Sequence, residues 1–182
     1  MKNIGKNKKS QKSQKSKKTK FLLRYLPKRL TMSDKKKQSG MLLKSRRLYK
    51  KGKYYSRKPV KSFKSKKSQH IIDAEKLYHL DKIVVNDELS LKTGCTKKSL
   101  EKIVSKGQGA YYSSGSRPNQ TSQSWGIARL ASSISGGKAA AVDFSILEEG
   151  CRENSIALKL AKKSKQTYMK KTRKMPKNKE NV

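Results

Sequence analysis

The clearest helical pattern in the chain lies between residues 119 and 135. Apolar side chains recur there at i, i+3, i+4 and i+7, which places them on one face of a helix: Ile127, Leu130, Ala131 and Ile134. Asn119 or Thr121 can supply the N-cap after Pro118, and two glycines follow Ser135. The pattern therefore predicts an amphipathic helix that ends at about Ser135.

Weaker patterns predict further helices before and after this one. Ser33 and Asp34 are suitable caps for a basic helix that ends at about Lys50. Residues 70–80 place Ile71 and Tyr78 on one helical face. A short helix or turn after Gly137 contains the apolar positions Val142, Phe144, Ile146 and Leu147. The chain therefore belongs to the mainly α class.

Residues 86–105 predict two short helices around a turn at Gly94, with Ser90 at the helix contact and Thr96 as the second cap. Such a pair resembles a helix-turn-helix, in which Lys97 and Lys98 face a DNA groove. A purely structural helical hairpin has the same pattern. Both interpretations stay open at this point.

A glycine-rich loop is predicted next. Gly107, Gly109 and Gly115 interrupt the sequence around Tyr111 and Tyr112, and glycine is the residue most often found where a regular element breaks. We therefore expect these two tyrosines to lie on a loop and not on a helix.

Charge divides the chain more sharply than the apolar pattern does. Of a net charge of +36, residues 1–70 carry +26, residues 71–153 only +1 and residues 154–182 +9. Hydrophobic residues make up 32% of the chain and charged residues 33%, too little apolar surface to order the whole length. We predict a disordered basic tail over 1–32, a partly helical basic and aromatic arm over 33–68, a small helical core with a Gly-rich loop over 69–153, and a basic tail over 154–182.

Composition also restricts the cell compartment in which we expect the protein to reside. No apolar run reaches the roughly 18–20 residues of a membrane span, and the Lys/Ser/Gln-rich first 20 residues lack the apolar stretch of a signal peptide. Cys95 and Cys151 are the only cysteines, which fits a reducing compartment and excludes a framework of several disulfides. We expect a soluble intracellular protein.

Residues 50–67 interleave aromatic and basic side chains, a composition that a nucleic-acid strand can use by stacking and by phosphate neutralisation. An anionic protein surface, an acidic membrane or a solvated linker are the alternatives. The candidate nucleic-acid contacts, together with the two lysines of the hairpin, are Arg46, Arg47, Lys50, Lys51, Lys53, Tyr54, Tyr55, Arg57, Lys58, Lys61, Phe63, Lys64, Lys97 and Lys98.

A second candidate site is the polar stretch SGSRPNQT, in which backbone N–H groups and an arginine can hold a phosphate or contact a partner. Its candidate residues are Ser113, Ser114, Ser116, Arg117 and Asn119. We expect Arg117 to be functional, because a Gly/Ser/Pro loop gives it no packing role. Trp125 and Tyr112 are expected to be core anchors. Arg129 is either a surface residue or half of a buried pair.

The strings GAYYSSGSRPNQT, WGIARLASSISGGKAAAVD and ILEEGC resemble a family of uncharacterised small proteins of large DNA viruses of algae and protists, with distant relatives in tailed phages. The resemblance covers roughly residues 25–165. It implies a domain of unknown function, carries no catalytic residue that can be transferred, and supplies a natural polyanion in a viral genome.

Catalytic motifs are not found. A phosphate-binding loop needs G-x-x-x-x-G-K-[ST], but before and after Gly137-Lys138 the required first glycine is Ser132 and the required Ser or Thr is Ala139. His70 and His79 stand at no metal-binding spacing from the cysteines, and His79 is expected to end a helix. We expect neither catalysis nor a metal or other cofactor.

These observations favour a non-enzymatic protein that binds viral nucleic acid or takes part in genome packaging, with DNA as the preferred partner over RNA. The arms supply affinity and the core supplies orientation. The alternative is a structural virion or scaffold protein whose core docks on another viral protein. Either function places the chain in the nucleus or cytoplasmic virus factory of a host cell, or in the virion.

Overall fold

The structure is a computed structural model that describes residues 21–169, so residues 1–20 of the tail predicted over 1–32 and residues 170–182 of the tail predicted over 154–182 lie outside these residues. As predicted, the fold is mainly α, and no strand occurs within 21–169. The helices are α1 (Met32–Tyr49), α2 (Gln69–Tyr78), α3 (Asp87–Thr93), α4 (Lys97–Ser113), α5 (Ser122–Ile134), α6 (Lys138–Val142), α7 (Phe144–Gly150) and α8 (Ile156–Met169). None of these helices is both long and apolar enough to cross a membrane.

Helix α5 is the centre of the larger hydrophobic cluster. Its N-terminus is closed by a capping box, in which Thr121 and Ser124 each accept a hydrogen bond from the other's backbone N–H. Leu130 and Ile134 are fully buried among residues of α2, α4, α7 and α8, while Ile127 is half-buried at the edge. The helix predicted from the apolar spacing is therefore confirmed, with Thr121 as its cap.

Helices α4 and α5 cross at two glycines. A Cβ on Gly107 would lie 2.7 Å from the Cα of Gly126, and a Cβ on Gly126 would lie 2.8 Å from the carbonyl oxygen of Val104. Gly107 and Gly109 therefore lie inside α4, and the predicted loop around Tyr111 is wrong. Gly107 and Gly126 allow the two helix backbones to touch, and this close packing outweighs the low helix propensity of glycine.

The predicted hairpin of α3 and α4 is present. Asn86 caps α3 and Thr96 caps α4, each by accepting from a backbone N–H three residues on. Gly94 takes the left-handed conformation at the turn (φ 69°), and the Ser90 hydroxyl donates to the carbonyl of Cys95 at 2.6 Å. These are the small residues at which the sequence pattern placed the turn and the helix contact.

The two cysteines form a disulfide, which the sequence analysis did not predict. Cys95 follows the α3–α4 turn and Cys151 follows α7, so the bond joins positions 56 residues apart. Backbone hydrogen bonds on either side, from Thr96 N to Gly150 O and from Arg152 N to Gly94 O, hold the same two segments together. The disulfide thus fastens the hairpin to the C-terminal helices.

An ion pair is buried beneath α5. The Asp143 carboxylate is fully buried and accepts two hydrogen bonds from Arg129 (2.7 and 2.6 Å) and one from Ser133 (3.0 Å). It also forms an ion pair with Lys106 at 2.8 Å. Burial alone would raise the pKa of this carboxyl, but the hydrogen bonds and charges of Arg129 and Lys106 outweigh it and hold the pKa below its usual range. Of the two interpretations of Arg129, the buried pair is the one observed.

Residues 21–68 pack on this core and contribute a second hydrophobic cluster. Its buried members are Phe21, Tyr25, Leu26, Leu30, Met41, Leu42, Val60 and Phe63. Helix α1 begins after Thr31, which accepts from the N–H of Asp34, whereas the Asp34 carboxylate accepts from both the backbone and the hydroxyl of Ser62. The packed part of the described chain therefore includes residues 21–68, which precede the predicted core boundary at 69.

The C-terminal boundary also differs from the expectation. Residues 156–169 form α8, whose Ala157, Leu158 and Ala161 are buried against the larger cluster. Ser164 donates to the carbonyl of Gly136 at 2.6 Å. Small residues on one side of α8 let it pack closely on the core, while its lysines face solvent. The C-terminal end of the core could therefore not be predicted from charge alone.

Candidate nucleic-acid interface

The two stretches that the sequence singled out, residues 50–67 and the loop 113–119, lie against each other. Asn119 joins them: its side chain accepts from the N–H of Val60 (2.8 Å) and donates to the carbonyls of Val60 (3.0 Å) and Phe63. Asn119 itself has a positive φ of 56°, a conformation that asparagine tolerates better than most residues. Asn119 therefore holds the basic segment in place and has no free polar group to offer a ligand.

Arg57 is the second tie between the two stretches. Its guanidinium donates to the hydroxyls of Ser45 (3.0 Å) and Ser116 (2.8 Å) and to the carbonyl of Tyr111 (3.0 Å), and it lies 3.6 Å from the centre of the Tyr111 ring. Burial lowers the pKa of this guanidinium. Since its hydrogen bonds are used inside the protein, Arg57 positions the site and is a poor candidate for direct phosphate contact.

Two further candidates are also held by packing. Arg46 donates twice to the carbonyl of Ser114 (3.2 and 2.6 Å) and lies over the ring of Phe21. Phe63 is buried, with Arg29 over its ring at 4.4 Å, so no base can reach it for stacking. Tyr55 is half-buried against the second cluster beneath Lys44.

Three tyrosine rings meet beside these ties, and we call Tyr49, Tyr54 and Tyr112 the tyrosine cluster. Tyr49 and Tyr112 are stacked with 6.3 Å between ring centres and 8° between ring planes. Tyr54 meets both of them edge to face, at 6.0 and 5.0 Å. Tyr54 is 71% exposed, so the cluster presents one aromatic ring to solvent on two that support it.

Each tyrosine of the cluster comes from a different part of the chain. Tyr49 ends α1, Tyr54 lies in the basic segment, and Tyr112 lies near the end of α4, where its hydroxyl donates to Ser122 at 3.2 Å. The Tyr49 hydroxyl lies against α4 at Gly109, where a Cβ would be 3.4 Å from it. The sequence pattern predicts a contact role for Tyr54 but none for Tyr49, and it places Tyr112 in the core, because the approach of α1 to α4 leaves no local signal.

Exposed cations lie along the same segment. Seven basic side chains between residues 47 and 64 are exposed and lie in none of the ion pairs of residues 21–169: Arg47, Lys50, Lys51, Lys53, Lys58, Lys61 and Lys64. We call these seven the exposed cations. Ion pairs occur elsewhere, as between Lys92 and Glu88 (3.0 Å) and between Lys102 and Glu149 (3.6 Å), but other exposed lysines, such as Lys76 and Lys159, lie in none of the pairs of residues 21–169. The segment beside the tyrosine cluster is distinguished by its charge balance, because residues 35–72 contain no Asp or Glu.

The hairpin lysines do not belong to this surface. Lys97 forms an ion pair with Asp87 at 2.8 Å, and this hydrogen bond raises the pKa of Lys97. Lys98 is exposed beside it at the start of α4. At about 1.5 Å of rise per helical residue, the start of α4 lies about 22 Å from Tyr112. The two lysines and the tyrosine cluster are therefore separate candidate sites.

The loop 113–119 has one side on the protein and one side in solvent. A Cβ on Gly115 (φ 111°) would lie 2.7 Å from the Leu42 side chain, and Ser116 is fully buried. Ser113 and Ser114 are exposed, and so is Arg117, whose carbonyl accepts from the Ser116 hydroxyl (2.8 Å) but whose guanidinium has no hydrogen bond or ion pair to residues 21–169. The guanidinium of Arg117, the one arginine in this loop, is therefore available to a partner.

Trp125, which was expected to be a core anchor, packs on the second hydrophobic cluster and not on the larger one. It is half-buried, with its ring centre 6.2 Å from that of Tyr25 in an edge-to-face arrangement. It therefore holds the N-terminal segment onto α5.

Among residues 21–169, no group of three or more His, Cys, Asp or Glu side chains is arranged to hold a metal ion. His79 ends α2 in the left-handed conformation (φ 50°), the helix-end position that the sequence predicted for it. The arrangement instead combines an exposed ring with unpaired cations, which suits a polyanion that carries flat bases.

A family model described as "Family of unknown function (DUF5824)" matches residues 23–148, more than half of the chain. No curated protein and no solved structure gives a significant match. The matched range contains the tyrosine cluster, the exposed cations and the loop 113–119, so the candidate interface lies inside the region that the family model describes.

Proposed function

We propose that this chain, which belongs to the family of unknown function DUF5824, is a non-enzymatic nucleic-acid-binding protein. Its binding face consists of the tyrosine cluster and the exposed cations. The observation that carries the proposal is the uncompensated charge of this segment: residues 35–72 contain no Asp or Glu, and the seven exposed cations lie in none of the ion pairs of residues 21–169. Positive charge left unpaired on one face lowers the free energy of binding to a polyanion.

Two side chains support the view that the exposed cations lie on a surface of fixed structure and not on a flexible tail. Asn119 and Arg57 tie the basic segment to α4 and to the loop 113–119 by hydrogen bonds within the protein. The lysines between these ties therefore project from a backbone of defined course. A fixed set of cations loses less conformational entropy on binding than the same residues in an unfolded tail.

The proposal extends to the source of the polyanion. The resemblance of the motif sequences to proteins of large DNA viruses favours a viral genome as the ligand and DNA over RNA. Binding by phosphate neutralisation does not depend on base sequence, which suits a protein associated with genome packaging in a host cell or virion. Residues 1–70 carry +26 of the net charge, enough to engage many phosphates at once.

A charge-matched pair of variants tests the proposal. The first replaces Lys50, Lys51, Lys53 and Lys58 with Gln; the control makes the same change at Lys76, Lys159, Lys162 and Lys163, which are exposed on α2 and α8. Each lost phosphate contact should reduce the slope of log K against log salt by about 0.9, so the first variant should flatten the slope for duplex DNA by about 3 to 4. The control should change the slope by less than about 1, and fluorescence anisotropy at several salt concentrations measures both.

Equal losses in the two variants would show that only total charge matters and would overturn the proposed face. Full affinity in the first variant, with capture of a defined viral protein instead, would favour the alternative of a docking protein.

A further inference from the structure

We propose that the tyrosine cluster is a stacking site for unpaired bases, so that the chain binds single-stranded nucleic acid more tightly than duplex. This inference rests on the proposed function, since it names the form of nucleic acid that the same face prefers. Its basis is the position of Tyr54, an exposed ring set on two other rings among unpaired cations.

Packing alone does not explain the exposed ring. Neither hydrophobic cluster includes any residue of the tyrosine cluster, whereas the neighbouring Tyr111 is 1% exposed and the neighbouring Tyr55 packs on the second cluster. A tyrosine that is 71% exposed gains little from the fold through burial. The ring at position 54 is therefore available to another flat group.

The support beneath Tyr54 is rigid. Tyr112 is stacked on Tyr49, lies edge to face against the buried Tyr111 at 4.9 Å, and is hydrogen-bonded to Ser122. A ring held in this way has already lost much of its rotational freedom before a ligand arrives. Tyr54 packs edge to face on Tyr49 and on this ring, so stacking a base on Tyr54 costs less entropy than stacking on a freely rotating tyrosine.

Unpaired bases are the chemical group that fits this site. In a duplex the faces of the bases are covered by their neighbours, and an exposed tyrosine reaches only the backbone. In a single strand a base can turn onto an aromatic ring, and such contacts contribute about 1–3 kcal/mol per base. Lys50, Lys51 and Lys53, all exposed and within four residues of Tyr54, are placed to neutralise the flanking phosphates.

Binding of labelled oligonucleotides to the full chain tests the inference. The probes are a mixed-sequence single-stranded DNA of about 16 nucleotides, the same sequence as RNA and the DNA duplex. Tyr54→Ala should weaken binding to both single strands about tenfold, while duplex affinity changes by less than about twofold. Tyr54→Phe should keep near-normal affinity because the ring remains, and Tyr54→Leu, which keeps apolar bulk without a π face, should behave like Tyr54→Ala.

Tyr168→Ala is the matched control, since this tyrosine on α8 is also exposed, at 41%, and is outside the tyrosine cluster. It should leave all three affinities unchanged. Loss of single-strand affinity in Tyr54→Ala that the duplex shares equally would overturn the stacking site, as would normal single-strand binding by Tyr54→Ala.

These failures are distinct from failure of the proposed function. If Tyr54→Ala binds single strands normally while the substitution of Lys50, Lys51, Lys53 and Lys58 weakens binding, stacking is excluded and the cationic face stands. If the unmodified chain binds none of the three probes at low salt, both proposals fall.

Discussion

Raising the salt concentration from about 50 to 200 mM should weaken binding of the full chain to duplex DNA by about 10⁴- to 10⁵-fold. The expectation follows from counterion release: each phosphate neutralised by a lysine or arginine frees a condensed cation, and added salt opposes that gain. If about 8–10 cations engage the duplex together, log K should fall with log salt at a slope of about −7 to −9. Duplex is the right ligand for this test, because its bases offer no stacking contribution.

Anisotropy titrations at four or more salt concentrations give the slope directly. A polyanion without bases, such as heparin, should show a similarly steep dependence and serves as a control for the electrostatic origin. Affinity for duplex that stays constant over this range of salt would contradict binding by phosphate neutralisation.

Asp143→Ala should lower the free energy of unfolding by about 3–5 kcal/mol. The substitution leaves Arg129 and the inner end of Lys106 facing a buried site with no counter-charge, and it removes the acceptor of the Ser133 hydroxyl. Losing one member of a buried pair costs far more than the pair contributes, because the remaining charge is both desolvated and unpaired. Urea denaturation followed by circular dichroism measures the change.

Asp87→Ala is the control for this prediction. Asp87 forms an ion pair of similar length with Lys97, at 2.8 Å, but its side chain is 90% exposed. Exposed pairs contribute about 0–1 kcal/mol, so this variant should melt close to the unmodified chain. Equal destabilisation by the two substitutions would mean that the Asp143 network is not the buried anchor described above.

The Asp143 network also predicts a pH dependence of stability. Its carboxyl has a folded-state pKa below the unfolded value of about 3.9, so the unfolded chain binds the proton more readily. The stability it contributes is therefore fully present above about pH 4 to 5 and is lost as the pH falls through the folded-state pKa. Asp143→Asn, which cannot ionise, should show a shallower loss of stability over that acid range.

Local patterns predicted the parts of the fold whose signals are local. The spacing of Leu130 and Ile134 and the cap at Thr121 predicted α5, and Gly94 predicted the turn between α3 and α4. Gly107 misled the prediction, because a glycine that lets two helices touch looks the same in sequence as one that ends a helix. The difference lies in Gly126, which is far along the chain.

The high positive charge of the N-terminal residues gave no indication that they are packed. The basic composition predicted a disordered tail over 1–32 and a partly helical arm over 33–68, yet Leu26, Leu42 and Val60 are buried there. Lysines cover apolar surface with their carbon stems while the ammonium groups stay in water, so a high net charge does not exclude a folded segment. Helix α8 was missed for the same reason.

The candidate site was predicted residue by residue but not as an arrangement. Sequence composition identified Tyr54 and the lysines beside it, and it identified the loop 113–119 separately. That the two lie together depends on Arg57 and Asn119, whose partners are more than 50 residues away. Long-range contacts of this kind leave no periodicity or spacing in the chain, which is why Arg57 and Asn119 were taken for ligand contacts.

The central claim is that nucleic acid lies on the face formed by the tyrosine cluster and the exposed cations. Photocrosslinking of the full chain to a single strand carrying photoreactive bases, followed by mass spectrometry of the crosslinked peptides, tests that claim most directly. We predict crosslinks within residues 49–64, above all at Tyr54, that unlabelled strand competes away and that Tyr54→Ala removes. Crosslinks confined to other parts of the chain, with none in residues 49–64 or 109–117, would contradict the account.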